Sequence, residues 1–213
     1  MSNEELRKPS LLSRAVQRVI IWIYRWMGWR IEGALPRDLE KYVIVGAPHT
    51  SNWDFVFFAG ATHHEKVRPS FMGKHTLFTG CLRQFMFDMG GIPIDRTRRT
   101  NAVEQVACEF ARRDKLALVI AVEGSRGSDG QWKSGFYNIA QAAGVPIVPA
   151  YADNANRIVG FGEPLVPCGD YGKDLARLAA WFRAMLPDCE RFKVLEAQAR
   201  AIREGPGAQP RAD

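Results

Sequence analysis

The sequence predicts an α/β fold, with a single domain whose mostly parallel sheet is flanked by helices on both faces. Short apolar runs rich in β-branched residues alternate along the chain with segments whose apolar residues recur at helical spacing. Such alternation is typical of parallel sheets in which a helix follows each strand. The 213 residues suffice for one such domain with a sizeable core, and they contain no internal repeat.

The individual elements follow from the same patterns in chain order. Residues 42–45 and 116–122 are uncharged apolar runs, which indicates buried strands. The other predicted strands are 68–73, 90–94, 145–151 and 157–161. The predicted helices are 11–31, 53–64, 77–86, 101–113, 134–143 and 175–186, the last as a terminal amphipathic helix. Residues 36–203 are predicted to form the main domain, and the Gly- and Pro-containing residues 204–213 a disordered tail.

Composition and charge narrow the class of protein. Hydrophobic residues make up 46% and charged residues 24% of the chain, which excludes a disordered protein. A net charge of +6 and a pI near 9.3 predict an anionic partner, which is a nucleic acid, a membrane surface or a phosphorylated substrate. Cys81, Cys108, Cys168 and Cys189 are widely spaced. We therefore expect reduced thiols in a cytosolic protein, without a disulfide framework or a metal site.

Residues 1–35 are predicted to form a basic, aromatic helix that lies in a membrane interface. Arginines are interleaved with apolar residues from Leu11 to Ile31, and no acidic residue occurs between Leu6 and Ile31. The longest uncharged run, 19–24, is far shorter than the roughly 20 residues of a membrane-spanning helix. Arginines within the apolar segment argue against a signal peptide. The alternative is a helix packed on the domain with its arginines exposed.

Three polar clusters follow predicted strands. They are His49 with Asp54, the residues from Asp95 to Arg99, and the residues from Glu123 to Arg126. The loops that leave the carboxyl ends of parallel strands gather in one crevice, so we expect these clusters to lie close together. A base with its orienting acid, several cations and a further carboxylate suit transfer of a group onto a hydroxyl near a phosphate.

His49 and Asp54 are the candidates for proton transfer. His49 lies on the loop after the strand 42–45, and Asp54 lies in the first turn of a helix with Ser51 or Asn52 as its N-cap. Asp54 can accept a hydrogen bond from one ring nitrogen of His49, fix the tautomer and leave the other nitrogen free as a base. The alternative is an ordinary loop histidine near an ordinary helix-start acid, which the two further clusters disfavour.

Four segments resemble, in order, the sequence blocks of one family. Residues 49–54 match an H-x4-D block, and residues 91–96 resemble a second block that ends in arginine. Residues 123–126 resemble an E-G-T-R block with Ser125 in place of threonine, and residues 145–149 an apolar block with prolines. The chain thus resembles the glycerolipid acyltransferases, the PlsC-type enzymes of phospholipid biosynthesis that are similar to 1-acylglycerol-3-phosphate acyltransferase. The resemblance covers residues 43–151, roughly half of the chain.

The resemblance implies transfer of a fatty acyl group from a thioester, on coenzyme A or acyl carrier protein, to the hydroxyl of a lysophospholipid or related glycerolipid. It implies that His49 is the general base and that Asp54 orients its ring. No covalent enzyme intermediate is needed, because the acceptor hydroxyl attacks the thioester itself. Besides the thioester co-substrate the resemblance implies no cofactor and no metal.

The resemblance also implies a set of residues that bind the acceptor. They are Lys74, Arg96, Glu123, Gly124, Ser125 and Arg126. The arginine fork suits a phosphate group. A structural salt bridge to Arg96 or Arg126 is the alternative role of Glu123, and a solvated surface position is the alternative for Lys74. The bulky Trp53 before Asp54 departs from the small polar residues usual in the family, and we expect it to reshape the acceptor pocket.

The expected partners are the acyl thioester donor, the lysolipid acceptor and a membrane surface, which the protein meets as a peripheral or monotopic enzyme on the cytoplasmic side. A nucleic acid is not expected, because the N-terminal arginines lie among apolar residues and not along a polar face. The alternative function is a non-catalytic module that binds membrane lipid and keeps the fold. The set of His49, Asp54, Glu123 and Arg126 favours catalysis, since binding alone would not need it.

Overall fold

A computed structural model describes residues 9–49, 53–95, 99–123 and 130–205. Over these residues the chain forms one seven-stranded sheet and seven α-helices. The strands are β1 Arg30–Glu32, β2 Lys41–Ala47, β3 Pro69–Lys74, β4 Gly91–Ile94, β5 Leu116–Ala121, β6 Ile147–Asp153 and β7 Ile158–Phe161. The helices are α1 Leu11–Trp26, α2 Trp53–His64, α3 Arg83–Asp88, α4 Arg99–Arg112, α5 Gly135–Ala143, α6 Tyr171–Met185 and α7 Glu190–Glu204.

The strands follow one another across the sheet in the order β1-β7-β6-β2-β5-β3-β4. The five strands from β2 to β6 are parallel to one another, whereas β7 is antiparallel to β6 and β1 is parallel to β7. The prediction of a single, mostly parallel α/β domain is therefore confirmed. The buried central strand is β2, whose residues from Tyr42 to Val45 are at most 2% exposed.

Helices cover both faces of the sheet. Because side chains alternate along a strand, Val43 and Val45 of β2 point to one face and Tyr42 and Ile44 to the other. The first face packs against α4, α5, α6 and α7, which together form the larger apolar core. The second face packs against α1 and α2, where Tyr24 and Ala61 are buried. The sheet is thus enclosed between two helical layers, and its functional surface must lie at one of its edges.

Three elements differ from the sequence prediction. The predicted helix 77–86 is two 3₁₀ turns followed by the short α3, because Gly80 has a φ of +61° and interrupts the helix. In the segment 11–31 the helix, predicted to end near Gly28 and Gly33, ends at Trp26, and Gly28, with a φ of +70°, turns the chain into the short strand β1, which was not predicted. The helix α7 follows α6, so the amphipathic helix predicted as terminal is the penultimate one.

α1 presents large apolar side chains to solvent. Trp22 and Trp26 are 62% and 76% exposed and stack on each other with ring centroids 6.0 Å apart. Leu11, Leu12 and Val19 are exposed as well. At 100° per residue these side chains form one stripe along the helix, and the exposed Arg14, Arg18 and Arg25 run along one side of it. No helix in the described part of the chain is long and apolar enough to cross a membrane.

The amino end of α1 is attached to the domain through the buried carboxylate of Asp88, at the end of α3. Asp88 Oδ2 accepts from the backbone N of Ser10 at 2.9 Å and from Ser13 Oγ at 2.6 Å, and Oδ1 accepts from Gln84 Nε2 at 2.7 Å. Burial alone would raise the pKa of Asp88, but the hydrogen bonds from Ser13, Ser10 and Gln84 outweigh it and lower the pKa. Near the carboxyl end of α1, the ring of Tyr24 packs on Gly60 of α2. A Cβ on Gly60 would lie 2.3 Å from this ring.

Candidate active site

The carboxyl ends of β2, β3, β4 and β5 lie side by side at one edge of the sheet. Gly46 of β2 pairs with Ala121 at the end of β5, and Lys74 at the end of β3 pairs with Ile94 at the end of β4. In the sheet β5 lies between β2 and β3. Because neighbouring strands are about 5 Å apart, β2 and β3 are about 10 Å apart. This edge, which we call the catalytic edge, is where the sequence analysis expects the polar clusters to meet.

His49 follows β2 at the catalytic edge. It lies two residues beyond Ala47 and is partly buried. Asp54 is the second residue of α2, so its backbone lies at the amino end of a helix, where a carboxylate is favoured by the helix dipole. The side chain of Asp54 and the predicted caps Ser51 and Asn52 lie outside the described part. The contact between His49 and Asp54 therefore stays a prediction.

Lys74 and Asp95 leave the next two strands at the same edge. Lys74 is the last residue of β3 and its side chain is exposed. Asp95 follows β4, and α4 fixes its backbone: Asp95 N donates to Gln105 Oε1 at 3.1 Å, and Gln105 Nε2 donates to Asp95 O at 3.2 Å. This two-point contact fixes the backbone at the end of β4. Arg96 itself lies outside the described residues.

Glu123 follows β5, the strand next to β2, and is 2% exposed. Its Oε2 forms a salt bridge with Nη1 of Arg191, in the first turn of α7. A salt bridge is the alternative role predicted for Glu123, with Arg96 or Arg126 as its partner; the salt bridge in the structure joins Glu123 to Arg191. Gly124, Ser125 and Arg126 continue from Glu123 and lie outside the described residues, so their predicted roles stay predictions.

Arg191 belongs to a helix that the sequence analysis missed. A signal for this helix was present, because Phe192, Leu195, Ala199 and Ile202 recur at helical spacing, and the first three are buried. No local signal could have linked Arg191 to Glu123, since 68 positions separate the two residues. The contact arises only when α7 packs on the sheet.

Tyr151 is a further polar side chain near the catalytic edge, on β6 beside Ala47. Its ring lies across Gly160, where a Cβ would come within 2.0 Å of it, and its hydroxyl donates to Glu32 Oε2 at 2.7 Å. Burial, and then the hydrogen bond to Glu32, raise the pKa of Tyr151 well above its usual value. Tyr151 therefore stays neutral, and we interpret it as a structural link between β6 and β1.

A cavity of about 860 Å³ opens at the opposite edge of the sheet. It lies at the strand starts, near Tyr42, Ser70, Gly91 and Leu116, and none of the predicted site residues lines it. Ligands of parallel α/β sheets bind at the carboxyl ends of strands, so the catalytic edge, and not this cavity, is the candidate active site. Among the described residues no three His, Cys, Asp or Glu side chains form a group that could hold a metal ion.

Known proteins with similar sequences identify the family of this chain. A family profile described as Acyltransferase matches residues 29–153, which contain the ends of all four strands. A 1-acyl-sn-glycerol-3-phosphate acyltransferase of Salmonella typhimurium is 31% identical over 180 residues, covering 75% of this chain and 72% of the relative. The enzyme of that name from Escherichia coli is 29% identical with the same coverage, and one from Streptococcus pneumoniae is 33% identical over 54% of this chain and 42% of the relative.

The family resemblance read from the four sequence blocks is thus confirmed by comparisons that extend beyond those blocks. The parallel strands that carry the blocks end at one edge, as expected for a parallel sheet. The chain belongs to the acyltransferase family, among the O-acyltransferases of the 1-acyl-sn-glycerol-3-phosphate acyltransferase type.

Proposed function

We propose that this enzyme moves a fatty acyl group from acyl coenzyme A or acyl carrier protein to the free hydroxyl of a lysophosphatidate or a closely related lysolipid. The observation that carries the proposal is the convergence of His49, Lys74 and Glu123 at the catalytic edge, with Asp54 at the start of α2. The names of the relatives support the acceptor class, and the proposal needs no cofactor beyond the thioester co-substrate.

His49 acts as the general base in this proposal. The imidazole takes the proton of the acceptor hydroxyl while the hydroxyl oxygen attacks the thioester carbonyl. The tetrahedral intermediate then collapses, the carbon–sulfur bond breaks, and the imidazolium returns the proton to the leaving thiolate. Asp54 orients the ring and stabilises its cationic form, as the carboxylate does in a serine-protease triad. The acceptor hydroxyl takes the place of the triad's serine.

The acceptor phosphate is bound by cations in the proposal. Lys74 supplies an exposed ammonium at the end of β3, two strands from β2. Arg96 and Arg126 follow the ends of β4 and β5 in the chain, and an arginine fork binds phosphate through two hydrogen bonds. Glu123, Gly124 and Ser125 complete the acceptor site. Binding the phosphate here holds the acceptor hydroxyl near His49.

The exposed stripe of α1 supports a membrane-surface location, with the enzyme peripheral or monotopic on the cytoplasmic side. Tryptophans and leucines beside arginines suit insertion of the apolar stripe into a lipid interface while the arginines meet anionic headgroups. These arginines contribute to the net charge of +6, and the proposal needs no nucleic acid partner. The lysolipid acceptor would then be taken from the surface of the leaflet.

Thiol release tests the reaction directly. Purified protein is mixed with an acyl coenzyme A series and a panel of lysolipids, and His49→Ala is expected to lower kcat by 10²-fold or more. His63→Ala is the matched control, because this exposed histidine lies at the far end of α2 and should leave kcat unchanged. Unchanged turnover in His49→Ala, or no thiol release with any donor and acceptor, would contradict the proposal.

The competing function is a non-catalytic module that binds membrane lipid. It predicts that the wild type releases no thiol while both wild type and His49→Ala bind vesicles equally. Measuring vesicle binding and thiol release on the same two preparations separates the two functions, since an enzyme loses only thiol release in His49→Ala.

A further inference from the structure

The chain between β3 and α3 exposes two leucines. Two 3₁₀ turns follow β3 directly, and we call residues 75–82, which contain them, the turn segment. Leu77 and Leu82 in this segment are 44% and 53% exposed. A single exposed leucine needs no explanation. Of the nine large apolar side chains that are exposed in the described part of the chain, however, five lie on α1 and two are these leucines.

The backbone of the turn segment is held in place by Phe78. This side chain is buried, and its ring packs on Phe87 with ring centroids 5.0 Å apart. A Cβ on Gly73 would lie 2.8 Å from the ring of Phe78, so the ring lies directly on β3. Thr79 Oγ1 closes the turn by donating to the carbonyl oxygen of Thr76 at 2.8 Å. Turning the neighbouring leucine inward would remove Phe78 from the core, so the leucine stays exposed in the folded protein.

The turn segment belongs to the same helical layer as α1. Ile92 of β4 points into the larger core, so its neighbour Gly91 points to the second face of the sheet, which α1 and α2 cover. The ring of Phe78 lies on this face of Gly91, where a Cβ would come within 2.7 Å of it. α3 then runs from the turn segment to α1, which it contacts through Asp88 and Ser13. The two exposed apolar surfaces are therefore joined by α3 within one layer.

The charge around the turn segment is positive. No acidic residue occurs in the stretch 66–87. Lys74 directly precedes the turn segment, Arg83 directly follows it, and both side chains are exposed. Exposed apolar residues flanked by cations suit the surface of an anionic membrane, where the cations meet headgroups and the apolar side chains enter the acyl boundary. An acidic protein would match the charge, but the common layer with the tryptophans and leucines of α1 favours lipid.

We propose that the turn segment is a second lipid-contact surface, which inserts Leu77 and Leu82 into the leaflet that α1 contacts. The segment begins at the catalytic edge, so lipid contact here brings that edge to the membrane. The ammonium of Lys74 then lies at the level of the headgroups, where the phosphate of a lysolipid is found. Access of the acceptor to the enzyme rests on the proposed function, whereas the lipid contact itself does not.

Co-sedimentation with vesicles of phosphatidylcholine and phosphatidylglycerol tests the contact. A variant that combines Leu77→Gln and Leu82→Gln is expected to bind these vesicles about 10-fold more weakly or worse, because two side chains lose the gain from burial in lipid. The matched control combines Val166→Gln and Met185→Gln, which removes two exposed apolar side chains from other elements and should leave binding unchanged. Equal vesicle binding by the two double variants would overturn the proposal.

Hydrogen exchange of the wild type locates the contact without any substitution. Peptides that cover the turn segment and α1 are expected to exchange more slowly when vesicles are added. Slower exchange confined to α1 would overturn the proposal even if the leucine variant failed to fold.

Kinetics distinguish this proposal from the proposed function. The leucine variant should raise KM for lysophosphatidate presented in vesicles and leave KM unchanged for a short-chain lysophosphatidate dissolved as a monomer. A wild type that releases no thiol contradicts acyl transfer, while vesicle binding and hydrogen exchange still decide the lipid contact. A leucine variant that binds vesicles normally but has a raised KM for acyl carrier protein as donor would mean that the surface binds the carrier protein, and would overturn the lipid contact.

Discussion

The helices α1 and α7, at the two ends of the described chain, lie outside the part that matches the acyltransferase family. They differ in where their apolar residues lie. The large apolar residues of α1, such as Trp22 and Trp26, face solvent, and its amino end is attached through the polar contacts of Asp88. The apolar residues of α7, such as Phe192 and Leu195, are fully buried, and its polar residues reach the catalytic edge.

The difference shows that a similar amphipathic pattern serves two purposes. An apolar face that packs inside the protein makes the helix part of the domain, and its charged residues can then order a neighbouring site. An apolar face that stays in water leaves the helix to be held by its other residues, here by the buried Tyr24 and the contacts of Asp88, and it remains available to an outside partner. Mutations that affect α7 and α1 separately test this difference.

The largest effect is expected from Phe192→Ala. Phe192 is 0% exposed and packs on Phe182 with ring centroids 4.9 Å apart. Removing a buried phenylalanine ring costs about 3–5 kcal/mol in the free energy of unfolding, because a cavity remains. Urea unfolding measures this loss. A change below about 1 kcal/mol would mean that α7 is not part of the core.

A smaller but clear effect is expected from Asp88→Ala. Three donors lose their acceptor, which are the backbone N of Ser10, Ser13 Oγ and Gln84 Nε2. A hydrogen bond to a charged group contributes up to about 3 kcal/mol to stability. We therefore expect the free energy of unfolding to fall by about 3 kcal/mol and proteolysis within α1 to become faster. The exposed Asp114→Ala is the control and should change neither measurement.

Acid should weaken the same anchor. The pKa of Asp88 is lowered in the folded protein, so the unfolded chain binds more protons and folding stability rises with pH. The contribution of Asp88 is fully present above the ordinary carboxyl pKa of 3.8 and is lost as the pH falls through the lower folded value. Unfolding of wild type and Asp88→Asn from about pH 6 to about pH 3 measures this, and their difference should shrink with acid. A difference that stays constant would exclude the link.

The smallest effect on stability is expected from Trp22→Ala and Trp26→Ala. Both rings are exposed, so each change should alter the free energy of unfolding by no more than about 0.5 kcal/mol. Binding to anionic vesicles should nevertheless fall by about 10-fold or more, because burying one such side chain is worth about 1.5–3 kcal/mol. Val166→Ala, an exposed apolar residue outside α1, is the control for co-sedimentation with vesicles. Equal vesicle binding in all variants would remove α1 from the membrane contact.

The parallel strands could be predicted from sequence to within a few residues. The apolar runs within β2 and β5 are short, carry no charge and contain β-branched residues, a pattern that favours a buried strand over a helix. β1 could not be predicted, because it consists of three residues, two of them charged, and becomes a strand only by pairing with β7. α7 was predictable from its spacing, but its high charge and its place beyond a proline hid the pattern.

For the candidate site, the positions of the polar residues could be predicted from sequence, whereas the contacts that hold the surrounding chain could not. His49, Lys74 and Glu123 stand directly at or after strands, so their arrival at one edge follows from the parallel topology. The attachments that hold the surrounding chain were out of reach, because Gln105 and Gln198 bind backbone atoms of Asp95 and Trp132 that any residue would offer. A side-chain amide on a helix gives no local sign of such a partner.

The sequence by itself determined the family, the parallel sheet and the edge at which the polar residues gather, because strand periodicity and motif order are local properties of the chain. Only the tertiary structure decided which residues support that edge and which surface stays open. Arg191 meets Glu123 across 68 positions and Ser10 meets Asp88 across 78. Such pairs form only when packing brings distant segments together, so their effect depends on the burial that the whole fold creates.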